Sequence, residues 1–214
     1  MKKLVKLILV LSVAAFTVNT IQAQTRFGAK ASFNFYNMTV KDNNDDKLDT
    51  KMVPGFNIGA FAEIPLVPEF YIKPELLFAQ KGYKYEVLGK DVKTKLSYIE
   101  VPVTFMYKGE LSGGSVFLGF GPYFAFGIGG KAKNGSTEDV KFKNDISLIE
   151  ASQNVYFKPL DVGGKFYAGY EFGNGFSFAI ESSLGLVNIS PKIAGNDNGT
   201  AKNVGFGLAL GYKF

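Results

Sequence analysis

An all-β fold, an eight-stranded antiparallel up-and-down transmembrane β-barrel, is predicted by three observations. Eight segments repeat a two-residue period in which bulky apolar side chains alternate with small or polar ones. The apolar parity carries no charge over 45 positions and holds 16 of the 21 phenylalanines. The connections between segments alternate between short and long, as in a membrane barrel with tight turns at one end and larger loops at the other. The interior of an eight-stranded barrel holds only side chains or one small ligand. Sixteen phenylalanines with their Leu, Ile and Val neighbours do not fit there. The apolar face therefore meets lipid, and the small, polar face lines the lumen.

Residues 1–23 read as a signal peptide, leaving 24–214 as the barrel domain. Lys2, Lys3 and Lys6 precede an apolar stretch over 7–16, shorter than the ~20 residues of a spanning helix. Ile21-Gln22-Ala23 offers a cleavage site before Gln24, and no cysteine follows it to carry a lipid anchor.

The eight segments follow in order. Residues 26–35 place Phe27, Phe33 and Phe35 on one face and Arg26 and Lys30 on the other. Residues 56–64 oppose Phe56, Ile58 and Ile64 to Asn57, Gly59 and Glu63. Over 70–79, Phe70, Ile72, Leu76 and Phe78 face away from Lys73 and Glu75. Residues 98–107 set Ile99, Val101, Val103, Phe105 and Tyr107 against Glu100 and Thr104. The fifth, 116–128, opposes Leu118, Phe120, Phe124 and Phe126 to a glycine-rich parity. In 161–172, Phe166, Tyr170 and Phe172 turn from Asp161, Lys165 and Glu171; in 176–186, Phe176, Phe178, Ile180 and Leu184 turn from Glu181. The eighth, 203–214, runs Val204, Phe206, Leu208, Leu210, Tyr212 and Phe214 against Gly205, Gly207, Gly211 and Lys213.

Pro74, Pro102 and Pro122 cannot donate to a ladder, so local bulges or water-satisfied gaps are expected at them. Residues 65–69, 108–115 and 173–175 are the short connections, and 36–55, 80–97, 129–160 and 187–203 the long, polar ones. Within the longest, Ile146-Ser147-Leu148-Ile149 fits a short helix or a strand extension, and periodicity does not choose. An even strand number puts both termini at the short-turn end, where Phe70, Phe105, Tyr107, Phe172, Phe176, Tyr212 and Phe214 would form the interfacial girdle.

Composition removes several function classes. Without cysteine there is neither a disulfide framework nor a thiolate metal site. The absence of histidine removes most hydrolytic mechanisms, so no enzyme and no cofactor are expected. Three of the 24 basic residues leave with the signal peptide, and the remaining 21 face 19 acidic ones. No basic stripe suggests nucleic acid. Asp42-Asn43-Asn44-Asp45-Asp46 resembles a calcium loop only in part, since Lys47 and Val53 stand at its glycine and bidentate-acid positions. The glycines of 119–130 lie within a strand and not before a helix, so they provide packing room and not a nucleotide loop.

Tyr98-Ile99-Glu100-Val101-Pro102, Gly119-Phe120-Gly121-Pro122-Tyr123, Asp161-Val162-Gly163-Gly164 with Gly169-Tyr170-Glu171, and Gly185-Leu186-Val187-Asn188-Ile189 together resemble the strand motifs of the PorT-like small outer-membrane β-barrel family. The resemblance implies an integral outer-membrane barrel of a Gram-negative bacterium, with some relatives tied to protein secretion and no common catalytic residues. It also implies that Leu210, Tyr212 and Phe214 form the terminal signal read by the barrel-assembly machinery.

Three roles fit: a structural or adhesive barrel contacting partners through its extracellular loops, a narrow small-solute channel, and an accessory component of a secretion machinery. Lys73, Glu75, Glu100, Lys165, Glu171 and Glu181 share the inward parity. They are expected to form a neutralising interior network that supports the barrel and performs no chemistry.

Overall fold

The computed structural model describes residues 25–214 apart from Leu88 and Asn198; the expected signal peptide lies outside the described residues. Eight long strands form a closed antiparallel ring: β1 (Arg26–Lys41), β2 (Val53–Val67), β3 (Phe70–Val87), β4 (Lys90–Leu111), β5 (Gly114–Asn134), β6 (Leu160–Phe172), β7 (Phe176–Gly185) and β8 (Thr200–Lys213). Each pairs with its neighbours in sequence. β8 returns to β1 in one unbroken register from Gly28–Lys213 to Lys41–Thr200. The Phe214 amide donates to the Phe27 carbonyl at 2.9 Å, so pairing continues to the last residue. Among the described residues no helix is long and apolar enough to cross a membrane. The strands are the crossing elements, and closure leaves no unpaired edge in lipid.

The alternation sorts the side chains as its period requires. Phe27, Phe33, Ile58, Leu76, Leu118, Phe120, Phe166, Ile180 and Leu208 stand exposed on the outer wall, while the residues between them are mostly buried. Aromatic contacts ring the short-turn end: Phe70 stacks on Phe105 with centroids 5.4 Å apart, and Phe176 lies 4.7 Å from Tyr212.

Two expectations about connections are corrected. The 80–97 segment is no loop: β3 and β4 pair without interruption to Val87–Lys90, across a turn containing Gly89 at φ 74°. Likewise β1 runs to Lys41 and β2 begins at Val53, which shrinks the first outer connection. The reason is physical. Above the hydrocarbon the outward parity no longer needs apolar residues, so the alternation there sets polar against apolar in the opposite sense and reads as a polar loop.

Pro74, Pro102 and Pro122 leave gaps in the ladders but no bulge. The β3–β4 ladder lapses between Pro74–Val103 and Leu77–Glu100, then resumes in the same register. The β4–β5 ladder lapses similarly after Pro102–Tyr123, and Pro122 pairs in register with Gly164. Register shifts fall instead between Pro65–Tyr71 and Val67–Phe70 at the short-turn end, and between Ser97–Gly129 and Tyr98–Gly127, where Ile128 is the extra residue on β5.

The longest outer segment is built. Residues Ser136–Phe142 turn back as a strand on β5, and Val155–Phe157 pairs parallel to them. Ile146 joins a short parallel bridge to Ile193. Leu148–Gln153 forms helix α1, started by a capping box in which Ser147 and Glu150 exchange side-chain bonds of 3.2 and 2.9 Å. The quartet over 146–149 is thus part strand and part helix.

Leu208 lies mid-span on the lipid wall, opposite Phe33 and Ile180. Leu208→Arg should destabilise the barrel by ~2–4 kcal/mol, read by urea unfolding in lipid vesicles. Thr137→Arg, on the exposed outer hairpin, should change it by no more than ~0.5 kcal/mol.

Candidate functional site

Inward parity on seven of the eight strands brings six lysines and six carboxylates into one narrow lumen. They pair in three tiers. At the short-turn end, the Lys108 ammonium lies 2.8 Å from both Glu63 and Glu171, and Lys213 reaches Glu63 at 3.4 Å and also contacts Glu171. In the middle, Lys30 bridges Glu75 at 3.1 Å and Glu181 at 2.7 Å. Lys73 stands 3.7 Å from Glu75 and 4.1 Å above the centre of the Phe61 ring.

The third tier centres on Lys81, which has 1% of its surface exposed. Its ammonium lies 2.8 Å from Glu100 and 3.0 Å from Asp161, with the Tyr123 ring centre 4.2 Å away. Glu100 also holds Lys165 at 3.1 Å. Tyr123 and Asn203 donate to Asp161 at 3.1 and 2.9 Å. A bare buried ammonium would be costly, and here every face of it meets an anion or an aromatic ring.

Of the six residues expected to form a network, the structure brings together Lys73 with Glu75 and Lys165 with Glu100. Glu181 binds Lys30, and Glu171 belongs to the separate short-turn tier. Sequence reasoning missed Lys81 and Lys108, which fell in segments read as connections. The signal was available: Leu77, Ala79 and Lys81 continue one parity, as do Thr104, Met106 and Lys108.

The room left by inward glycines is filled. A Cβ on Gly119 would collide with the phenol end of Tyr167; one on Gly163 would meet Tyr123, and one on Gly205 would meet Tyr36, in the same way. Aromatic side chains thus fill glycine sockets on neighbouring strands. Between the charged tiers, Phe117, Tyr167 and Met106 form one apolar layer. The cavity beside Lys30, Lys73 and Tyr167 is only about 20 Å³, room for roughly one water. At the outer end Tyr83, Leu96, Tyr98, Val140, Phe157 and Ile189 close the lumen as a small core.

Above that plug lies a cleft of about 550 Å³, bordered by Asp42, Lys47, Tyr83, Tyr156, Pro191 and Ile193. Asp42 is occupied by its own turn, its carboxylate accepting the Asn44 and Asp46 amides at 2.8 and 2.9 Å. Beside the cleft α1 raises Leu148 and Ile149, 72% and 69% exposed. A 2.7 Å hydrogen bond from Lys143 holds the Glu150 carboxyl below its ordinary range, anchoring the helix start. At the other end Leu210, Tyr212 and Phe214 all point to the lipid side.

Comparison with known proteins agrees with this architecture. Residues 22–190 match the family described as "Outer membrane protein beta-barrel domain". Among solved structures the chain is similar to the outer membrane protein OprG from Pseudomonas aeruginosa, at 12% identity and TM-score 0.50, covering 90% of this chain and 97% of that one. Neisserial surface protein A is 10% identical at TM-score 0.46, covering 88% of this chain and 97% of that one. Ail, the attachment invasion locus protein of Yersinia pestis, is 15% identical at TM-score 0.43, covering 89% and 99%. No curated protein matches significantly.

Glu100 lies between Lys81 and Lys165, so its neutralisation takes from Lys165 its one ion-pair partner within 4.0 Å and leaves Lys81 with Asp161 alone. Glu100→Gln should lower stability by ~3–5 kcal/mol, the range for a broken buried pair, seen as a lower unfolding temperature in detergent. Glu138→Gln, on the exposed outer hairpin, should leave that temperature unchanged.

Proposed function

We infer the role of this chain from the premise that it belongs to the outer membrane protein beta-barrel domain family, as an integral outer-membrane barrel and not an enzyme. Its role is structural and surface-contacting: a closed barrel holds an ordered extracellular surface that docks a partner. One observation carries this reading. The lumen is filled with paired charges and aromatic rings, whereas the outer end presents a cleft flanked by two bare aliphatic side chains, Leu148 and Ile149. Exposed apolar groups on a capped helix favour a protein or other macromolecular contact.

The interior tiers support the barrel and do no chemistry on this reading. The carboxylates are engaged by lysines, and no nucleophile is paired with a base among the contacts described. A narrow solute channel is opposed by the same packing. A tie to secretion is favoured by the PorT-like motifs, whose Tyr98, Glu100, Tyr123 and Asp161 gather around Lys81. Assembly through the terminal strand is favoured by Leu210, Tyr212 and Phe214, which lie unburied on the lipid side of β8 and beyond it.

Cells displaying the barrel should bind a surface or one another, and Leu148→Ser/Ile149→Ser should reduce that binding at least several-fold. The heat-modifiable gel mobility of the folded barrel should be unchanged. Equal binding by both forms would reject contact through α1. In planar bilayers the purified barrel should give no conductance steps where a control porin does. Deleting Phe214 should slow membrane assembly in cells, measured as delayed appearance of the folded gel form.

A further inference from the structure

We propose that the outer wall of β3, β4 and β5 binds the phosphorylated headgroup of an outer-leaflet lipid. The proposal starts from strand register. Above the membrane, Lys84, Lys93 and Lys133 occupy one row across the three strands, since Lys93 pairs with both others. Lys95 and Lys131 are paired in the next row down, beside Gly82. All five are on the outward parity: Val92, Thr94, Leu96 and Ala132, their neighbours along the strands, are buried in the lumen.

Like charges directly opposite on a sheet are destabilising. Lys84 is relieved by Asp91 at 3.1 Å. Among the described residues no carboxylate lies within 4.0 Å of Lys93, Lys95, Lys131 or Lys133, although Asp139 is the strand neighbour of Lys131. The Lys93–Lys133 pair is therefore left without a countercharge of its own, and the Lys95–Lys131 pair has one carboxylate, Asp139, across the ladder for two ammonium groups. An external anion between them removes the repulsion, and a phosphate presents several oxygens to do so.

Height identifies the source of that anion. From Tyr107 in the girdle to Ser97, the outward face of β4 runs through Phe105, Val103, Val101 and Ile99. Ten steps of ~3.4 Å, tilted by ~40°, rise about 26 Å, close to the ~25 Å apolar band of such barrels. Lys95 and Lys93 come next, at the level of the outer headgroups. A groove of about 490 Å³ joins the two zones, with Phe78 and Ile128 at its apolar end, Gln80 and Ser97 between, and Lys95 and Lys131 with the single carboxylate Asp139 at its charged end. Gly129 and Gly130 keep its floor low. An acyl chain along the lower part places a headgroup phosphate against the lysines. The feature is one-sided: at comparable outward positions β1 and β8 offer Asn37, Thr39, Lys202 and Lys41, which do not face one another, and Lys41 is paired with Asp45 at 3.0 Å.

The test uses the folded full barrel in neutral detergent, with diphosphoryl lipid A as the probe and native mass spectrometry as the readout. Lysine near an anionic lipid surface contributes about fivefold in affinity. The quadruple variant Lys93→Gln/Lys95→Gln/Lys131→Gln/Lys133→Gln should thus bind at least tenfold more weakly, while Lys202→Gln binds as the parent does. Retained gel mobility of the folded form shows that each variant is intact. The parent's affinity should fall as salt rises, and monophosphoryl lipid A should bind more weakly than the diphosphoryl form. Unchanged affinity in the quadruple variant overturns the site. Displacement of the lipid by excess inorganic phosphate would instead make it a site for soluble anions and overturn the lipid assignment.

Discussion

The ammonium of Lys81 has no access to solvent, and the upper half of the barrel is organised around keeping it charged. Two carboxylates from β4 and β6 approach it within 3.0 Å, and a tyrosine ring from β5 covers another side. Glu100 passes the constraint on to Lys165, while Asp161 passes it to Asn203 on β8 and to Tyr123. Five of the eight strands are thereby tied across the lumen. In a cylinder walled by lipid, excess charge of either sign has no route to water, so the lumen must be neutral within each tier. That requirement explains why lysines and carboxylates alternate along the axis and do not gather at one end.

Filling and neutrality depend on one another. The glycines that face inward would leave voids if the lumen were polar alone, and voids would admit water and weaken the ion pairs. Instead Tyr36, Tyr123 and Tyr167 lie over glycine sockets on adjacent strands. Their hydroxyls then complete the polar network, as with Tyr36 to Asn57 at 2.8 Å and Tyr167 with Thr104 at 2.9 Å. A tyrosine suits this place because it supplies both bulk and a polar tip.

With the inside filled, the surface left for contact is the outside, which lipid divides into zones. The apolar band admits no charge. Above it the strands of β3, β4 and β5 continue as a rigid ladder that carries lysines at headgroup level, and higher still the capped helix α1 holds its aliphatic pair in water. Each zone follows from the solvent it meets, and the unbroken ladder keeps them at fixed heights.

The two-residue period by itself determined the strand number, the lipid-facing parity and the side of the girdle, because a half-buried strand cannot hide which face meets hydrocarbon. It also placed Glu100, Lys165 and Glu181 inside the lumen. Strand ends were less legible. Past the membrane the outward residues turn polar while the inward ones stay apolar, so the extensions carrying Lys81 and Lys93 resembled loops. Motif resemblance picked out Tyr98, Glu100, Tyr123 and Asp161 without saying why they belong together. Only the closed tertiary structure decided that, because partners as distant as Lys81 and Asp161 meet solely through the stagger of strands around the ring. The same is true of the lysine rows on the outer wall. Their composition was visible in the chain, but their adjacency came from register, and the bulge at Ile128 had to shift β5 by one residue to align them.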